Sequence, residues 1–295
     1  MALSNFEHAQ DGLTYDTVID IKNRDVISIQ KDTSLYDIIL NLITNKISKI
    51  FIYDKDRPVG VITDKDVTRF LFIDKSGRDL HSISAQEIMS GICFIASDLT
   101  CQQAAQMMLI NKVSTLGIST KEKFDGIITK TDLLRYYVTR EHDKSRVSDY
   151  MTISYFSASD HDKLHDIIRK MISCDISRIV ITNDSQNPIG VLTIGDVFRI
   201  TMNIDKLSIV KSSLSNYSEQ DGLWSATGFV GSQLAGETMT EGIISVDANM
   251  DMLTAAKIIL DKKIDSLGIN NSKGQLVGLV DKTNILHALA NSRVS

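Results

Sequence analysis

The sequence predicts a mixed α/β protein made of four tandem β-α-β-β-α repeats, and three observations carry that prediction. An apolar stripe with the i, i+3, i+4, i+7, i+8 spacing of an amphipathic helix is written four times. The stripes are Leu35, Ile38, Ile39, Leu42, Ile43; Cys101, Ala104, Ala105, Met108, Leu109; Leu164, Ile167, Ile168, Met171, Ile172; and Met252, Ala255, Ala256, Ile259, Leu260. At a constant distance beyond each stripe stands a β-branched residue (Ile47, Val113, Ile176, Ile264), and further on a glycine (Gly60, Gly126, Gly190, Gly278). Each glycine is followed by two aliphatics and a helix-capping pair, so one folded unit has been copied four times.

The first repeat shows the order of elements. Val26 to Ile29 is short and β-branched, hence a strand, and Asp32, Thr33 and Ser34 supply N-cap chemistry for the striped helix, which ends near Asn45. Lys49 to Tyr53 reads as a second strand, Asp54 to Pro58 as a turn, and Val59 to Ile62 as a third strand. A second helix then runs from about Thr63 towards Phe72. The other copies place their second strands at Thr115 to Ser119, Arg178 to Thr182 and Ser266 to Asn270, with turns at Lys121 to Asp125, Asn183 to Pro188 and Asn271 to Gln275. A short signature precedes three of them: Glu87-Ile88-Met89-Ser90, Asp149-Tyr150-Met151-Thr152 and Glu237-Thr238-Met239-Thr240. The stretch Asp20 to Asn23 is its degenerate counterpart.

The expected divisions are 1–75, 76–143, 144–203 and 234–295 for the repeats, with 204–233 as a linker or insertion. That last segment combines a helical extension, Asp205 to Ser213, with a Ser/Gly-rich part holding the only tryptophan, Trp224, and Phe229. It reads equally well as a mobile linker or as a loop folded over a neighbouring surface.

At 295 residues, 43% hydrophobic and 23% charged, the chain has the composition of a globular protein rather than a disordered one. A net charge of -5 gives no general attraction to nucleic acid or anionic membranes. The start, Met1 to Gln10, lacks an export signature and no apolar run has membrane-spanning length, so a cytoplasmic location is expected. Three cysteines, Cys93, Cys101 and Cys174, are odd in number and far apart, which favours small core side chains over a redox or metal role. His161 and His165 are one helical turn apart beside Asp162 and Asp166, a spacing able to hold a divalent metal, but they lie at the edge of the apolar stripe and read as a solvated face. No catalytic constellation or phosphate loop occurs, so an enzyme is not expected.

Taken together, the Glu/Asp-x-Met-Ser/Thr lead-in, the helix, the Ile/Val-Ser-x-Ile/Leu strand entry and the Gly-aliphatic-aliphatic-Thr-x-x-Asp close resemble the CBS domain, the module named after cystathionine β-synthase. The resemblance spans nearly the whole chain. It implies that repeats pair through their sheets into two Bateman modules, roughly residues 1–143 and 144–295, able to form a flat disc. It also implies adenosine ligands, AMP, ADP or ATP, bound in clefts between repeats, with no cofactor required.

Elementary chemistry supports such a site. Gly60-Val61-Ile62-Thr63-Asp64-Lys65-Asp66 ends a strand and opens a helix, where free backbone N–H groups and the positive dipole end attract an anion. Glycine allows close approach of a ligand, and Thr63 can offer a hydroxyl to phosphate. The resemblance implies that Asp66 accepts from a ribose diol, and carries the same roles to Gly126, Thr129 and Asp132 and to Gly190, Thr193 and Asp196. The same Thr-x-x-Asp spacing is also that of a capping box, which starts a helix and does nothing else. Lys49 and Arg178 follow Ser in Ile-Ser-Lys-Ile and Ile-Ser-Arg-Ile, where the γ subunit of AMP-activated kinase, a four-CBS protein, places basic residues against phosphate. Lys65 and Lys130 fall in the first turns of their helices, where a cation opposes the dipole unless an anion is near. In the fourth copy Asp281 and Asn284 replace Thr and Asp, so a carboxylate would repel phosphate there and no more than three nucleotides are expected. The expected role is a stand-alone regulatory sensor read by an effector protein in trans. The alternatives are a sensor of S-adenosylmethionine or another adenosyl ligand, and a ligand-free scaffold for a partner or a homodimer.

Overall fold

The computed structural model describes residues 17–23, 26–74, 76–120, 123–139, 144–201 and 233–292. The expected helix over Asp205 to Ser213, with Trp224 and Phe229, lies outside the described residues. The first repeat comprises α1 (Val18–Ile21), β1 (Ser28–Gln30), α2 (Leu35–Thr44), β2 (Lys49–Asp54), β3 (Arg57–Thr63) and α3 (Asp64–Ile73). The second holds α4 (Ala85–Ile88), β4 (Ser90–Gly91), β5 (Phe94–Ala96), α5 (Cys101–Ile110), β6 (Thr115–Thr120), β7 (Lys123–Thr129) and α6 (Lys130–Tyr137). The third holds α7 (Val147–Tyr150), β8 (Ser157–Ser159), α8 (Leu164–Ser173), β9 (Arg178–Thr182), β10 (Pro188–Thr193) and α9 (Ile194–Thr201). The fourth holds α10 (Ala235–Thr238), β11 (Thr240–Glu241), β12 (Ser245–Asp247), α11 (Met252–Lys262), β13 (Ser266–Asn270), β14 (Leu276–Asp281) and α12 (Lys282–Asn291).

Local chemistry sets these bounds. Ser34 caps α2, its hydroxyl accepting from the Asp37 N–H at 3.1 Å, and Asn45 closes the helix with its N–H on the Asn41 carbonyl. The turn after β2 is shorter than the sequence suggests. Lys55, at φ 57°, completes a tight turn, so β3 begins at Arg57 and takes in Pro58. The proline is tolerated because the ladder shifts register between Ile52 and Tyr53, opposite Pro58. The first four residues of every apolar stripe are buried, and the fifth, Ile43, Leu109, Ile172 or Leu260, is half-buried at the rim.

In each repeat the first strand runs parallel to the second, and the third returns antiparallel. The outer edge of that third strand is covered by the lead-in of the paired repeat. β4 pairs with β3 through Gly60↔Gly91 and Val61↔Ser90, and β11 pairs with β10 through Gly190↔Glu241 and Val191↔Thr240. Single bridges Asn23↔Ile127 and Thr152↔Leu279 do the same for β7 and β14. The exchange continues into the lead-in turns, where Leu35 N donates to the Ile83 carbonyl at 2.7 Å and Ala85 N to the Thr33 carbonyl at 2.9 Å. Val18, Ala85, Val147 and Ala235, one at the start of each lead-in turn, are fully buried. Each lead-in signature therefore belongs structurally to the repeat it does not precede, and two such exchanges knit repeats one to two and three to four.

The two modules meet helix to helix. One apolar core joins repeats one and three, with Leu35, Ile38, Val67 and Leu71 beside Leu164, Ile168, Val197 and Phe198. The other joins repeats two and four, with Cys101, Met108, Leu134 and Tyr137 beside Met252, Ile259, Leu286 and Leu289. The packing brings α3 against α9, and α12 against both α5 and α6. Among the described residues no helix is long and apolar enough to cross a membrane.

Candidate functional site

Three of the four second helices start from the same cap. Asp66 Oδ2 accepts from Thr63 N at 2.9 Å and from Thr63 Oγ1 at 2.7 Å, and Asp66 N donates back to Thr63 Oγ1 at 3.1 Å. Thr129 with Asp132 and Thr193 with Asp196 repeat this reciprocal box, the hydroxyl donating at 2.6 Å in both. The hydroxyl hydrogen expected to face a phosphate is thus donated to the cap's own carboxylate. The second carboxylate oxygen distinguishes the three. Asp132 Oδ1 accepts from Arg135 at 3.0 Å and Asp196 Oδ1 from Arg199 at 2.5 Å. Asp66 Oδ1 has no partner among the described residues, leaving the first repeat with an acceptor for a diol.

The glycines answer a different need from the one the sequence suggested. A Cβ on Gly60 would lie 2.6 Å from Met89 Sδ, one on Gly190 2.5 Å from Met239 Sδ, and one on Gly126 2.8 Å from the Asn23 carbonyl oxygen. Gly278 would meet the Thr152 carbonyl oxygen at 2.5 Å. What approaches these glycines is the exchanged lead-in, so their lack of a side chain serves the pairing of repeats.

The cations behave as one group. Lys49 is the ladder neighbour of Thr63, and Arg178 of Thr193. From there each side chain leans into the paired repeat. Lys49 Nζ donates to Thr115 Oγ1 at 2.9 Å and Ser114 Oγ at 3.4 Å, while Arg178 Nη1 meets Asp281 Oδ2 at 3.0 Å. Two more contacts cross between modules: Lys130 Nζ donates to Thr283 Oγ1 at 2.8 Å, and Lys65 Nζ pairs with Asp175 Oδ1 at 2.8 Å. All four repeats therefore send charge to one junction at the helix starts. Lys65, Arg178 and Lys282 each have a carboxylate, the last being Asp265 at 2.7 Å. Lys49 and Lys130 have hydroxyls alone, with no ion-pair partner among the described residues.

Titration follows from that arrangement. Burial pushes the Lys49 ammonium down to about 8, Lys282 and Lys130 adding to the effect while Asp132 and Asp64 oppose it. Burial also lowers Lys130, with Arg178, Lys282 and Lys65 pushing the same way against Asp281. In the same module Asp64 is pushed up to about 6 by burial, against the Lys65 N–H and, from the other module, Arg199. Asp265 is raised by burial but lowered more by Lys282, Arg178 and Lys49, and ends below the usual carboxylate range.

Some of this was not apparent from the sequence. Asp281 stood out there as a capping carboxylate that would repel phosphate, but not as an ion-pair partner, and Arg178, which it meets, is 103 residues away. Ser114 and Thr115 belong to the strand-entry motif Val113-Ser114-Thr115-Leu116, but nothing in it points to Lys49, and the Lys282–Asp265 pair and the Thr283 hydroxyl carry no motif. Three apolar residues were also missed: Ile27, Phe156 and Ile244, each directly before the first strand of its repeat, are 37%, 43% and 48% exposed. Their recurrence at one repeat position is the signal that could have found them. His161 and His165 do not converge; the first lies 3.5 Å from Asp184, and the second packs on the Phe72 ring at 5.3 Å.

Comparison with known proteins agrees with this architecture. The sequence is 22% identical over 195 residues to the uncharacterized protein MJ1225 of Methanocaldococcus jannaschii, covering 62% of this chain and 69% of that protein. The solved structure of MJ1225, described as a candidate archaeal homologue of γ-AMPK, superposes with a TM-score of 0.78 at 16% identity, over 92% of this chain and 99% of the other. An uncharacterized conserved protein of Pyrococcus horikoshii superposes with a TM-score of 0.62 at 14% identity, over 92% and 99%. A homoserine O-acetyltransferase of Methanosphaera stadtmanae is 30% identical over 93 residues, which is 31% of this chain and 18% of the enzyme. The CBS domain model matches residues 18–73, 147–203 and 235–291, more than half of the sequence, and with four such repeats paired by exchanged lead-ins the chain belongs to the CBS domain family.

Proposed function

We propose that this chain is a regulatory protein that binds adenine nucleotides, AMP, ADP or ATP, between its paired repeats and draws their phosphates to Lys49 and Lys130. The observation that carries the reading is that two desolvated ammonium groups, from two repeats, have hydroxyl partners and no carboxylate. A cation taken out of water is costly unless an anion accompanies it, and these two ammonium groups lack a direct carboxylate contact where helix starts also favour an anion. The unpartnered Asp66 Oδ1 suits a ribose diol, and the exposed apolar side chains of Ile27, Phe156 and Ile244 suit a flat base.

Because Lys130 reaches Thr283 across the module boundary, a phosphate held by Lys49 and Lys130 touches the packing of one module on the other. Altered packing would be read by an effector protein in trans, to the extent that the ligand binds the two packings with different affinity. The role is regulatory rather than catalytic. Calorimetry with AMP, ADP, ATP, adenosine and S-adenosylmethionine tests the reading. Lys49→Met and Lys130→Met should weaken the phosphorylated ligands and leave adenosine nearly unchanged; equal losses for AMP and adenosine would sink it.

A further inference from the structure

Arg178 is 17% exposed, and its only acceptor among the described residues is Asp281 Oδ2 at 3.0 Å. That contact is one-armed. The Arg178 Nε–H is buried and has no partner among the described residues, although a guanidinium is built to grip a phosphate or carboxylate with two parallel donors. Asp281, 26% exposed, divides its work between its two oxygens. Oδ1 caps α12, accepting from Thr283 N at 2.7 Å and Asn284 N at 3.0 Å, and Oδ2 alone faces Arg178. In the other three repeats the residue at this position is threonine, which brings no charge: Thr63, Thr129 and Thr193.

We infer that Asp281 is a built-in substitute for phosphate, and that Arg178 marks a latent anion site in the second module which the chain keeps filled with its own carboxylate. The ligand class is a phosphate monoester or pyrophosphate group. The inference rests on the reading that ligand phosphates are drawn to this junction, and it makes the two halves unequal. Lys49 and Lys130, with hydroxyls only, are open to an incoming anion. Arg178 yields to one only when Asp281 is displaced. A carboxylate and a phosphate cannot share one guanidinium arm without repulsion, so occupancy is exclusive.

Asp281→Asn separates the two roles, because asparagine keeps the capping oxygen and replaces the charged one with an amide. Sodium pyrophosphate and ADP are titrated into the whole protein and into Asp281→Asn, with and without Arg178→Met. Asp281→Asn should bind both probes about ten- to a hundredfold more tightly at one added site, the worth of one charge-assisted hydrogen bond, and Arg178→Met should abolish the gain. Without anions the variant should melt below wild type, since Arg178 is left uncompensated, and pyrophosphate should restore it. If ADP binds wild type but neither probe gains in Asp281→Asn, the substitute-anion inference falls and the nucleotide reading stands. If ADP fails to bind wild type while pyrophosphate gains in the variant, the nucleotide reading falls and the latent site stands. Asp281→Thr, which brings in the residue of the other three repeats, gives the same readout should the asparagine variant not fold. A wild-type crystal with phosphate on Arg178 and the Asp281 bond intact overturns the inference.

Discussion

Replacing Lys49 by methionine should make the unliganded protein more stable and a poorer phosphate binder. The side chain begins on β2 beside Thr63 and ends on Thr115 and Ser114 of the paired repeat. The fall from 10.5 to about 8 corresponds to about 3 kcal/mol of unfavourable free energy for the charged form in the fold. The sign follows from proton counting: between pH 8 and 10.5 the unfolded chain holds more protons at this residue, so its contribution to stability rises with pH. At neutral pH the penalty is fully present; by about pH 10 most of it has gone. Methionine keeps the apolar stem and removes the charge, at the loss of about 1 kcal/mol for the Thr115 hydrogen bond. The net expectation at pH 7 is a gain of about 1–3 kcal/mol, fading as the pH approaches 10. AMP affinity should drop by about 1.5–3 kcal/mol over the same substitution. Urea denaturation at pH 7 and 10, with calorimetry using AMP and adenosine, measures both. A loss of stability at pH 7, or a gain that persists unchanged at pH 10, would refute the electrostatic argument.

Asp64→Asn should stabilise by up to about 3 kcal/mol above pH 6 and have little effect below pH 3.8, because burial holds the wild-type carboxyl at about 6 and penalises only its ionised form; thermal melts from pH 3.5 to 7.5 check the trend. Gly278→Ala should cost about 2 kcal/mol or more and exceed Gly60→Ala, since its Cβ meets the Thr152 carbonyl oxygen at 2.5 Å while that of Gly60 meets the flexible Met89 side chain. The reverse order in urea midpoints would show that lead-in pairing does not set these glycines. A fragment of residues 17–143 should self-associate, because it exposes the Val67, Leu71 and Leu134 faces that the second module covers. Sedimentation as a monomer at high concentration would contradict that.

Repeat number, helix stripes and caps were legible in the sequence because each depends on residues within a few positions of one another. Leu164, Ile167, Ile168 and Met171 share one face of α8 by geometry alone, and Thr63 with Asp66 meets at one helix start whatever surrounds it. The same locality marked Lys49 and Arg178 as cations beside their own caps. Their partners were not legible. The lead-in Glu87 to Ser90 lies next to the second repeat in the chain yet completes the sheet of the first, because an unpaired β3 edge is satisfied by whichever strand the fold delivers. Arg178 meets Asp281, while Lys49, in the equivalent position, meets only hydroxyls. That asymmetry arises from tertiary packing, which decides which side chains a desolvated charge faces, and neither periodicity nor spacing along the chain encodes it.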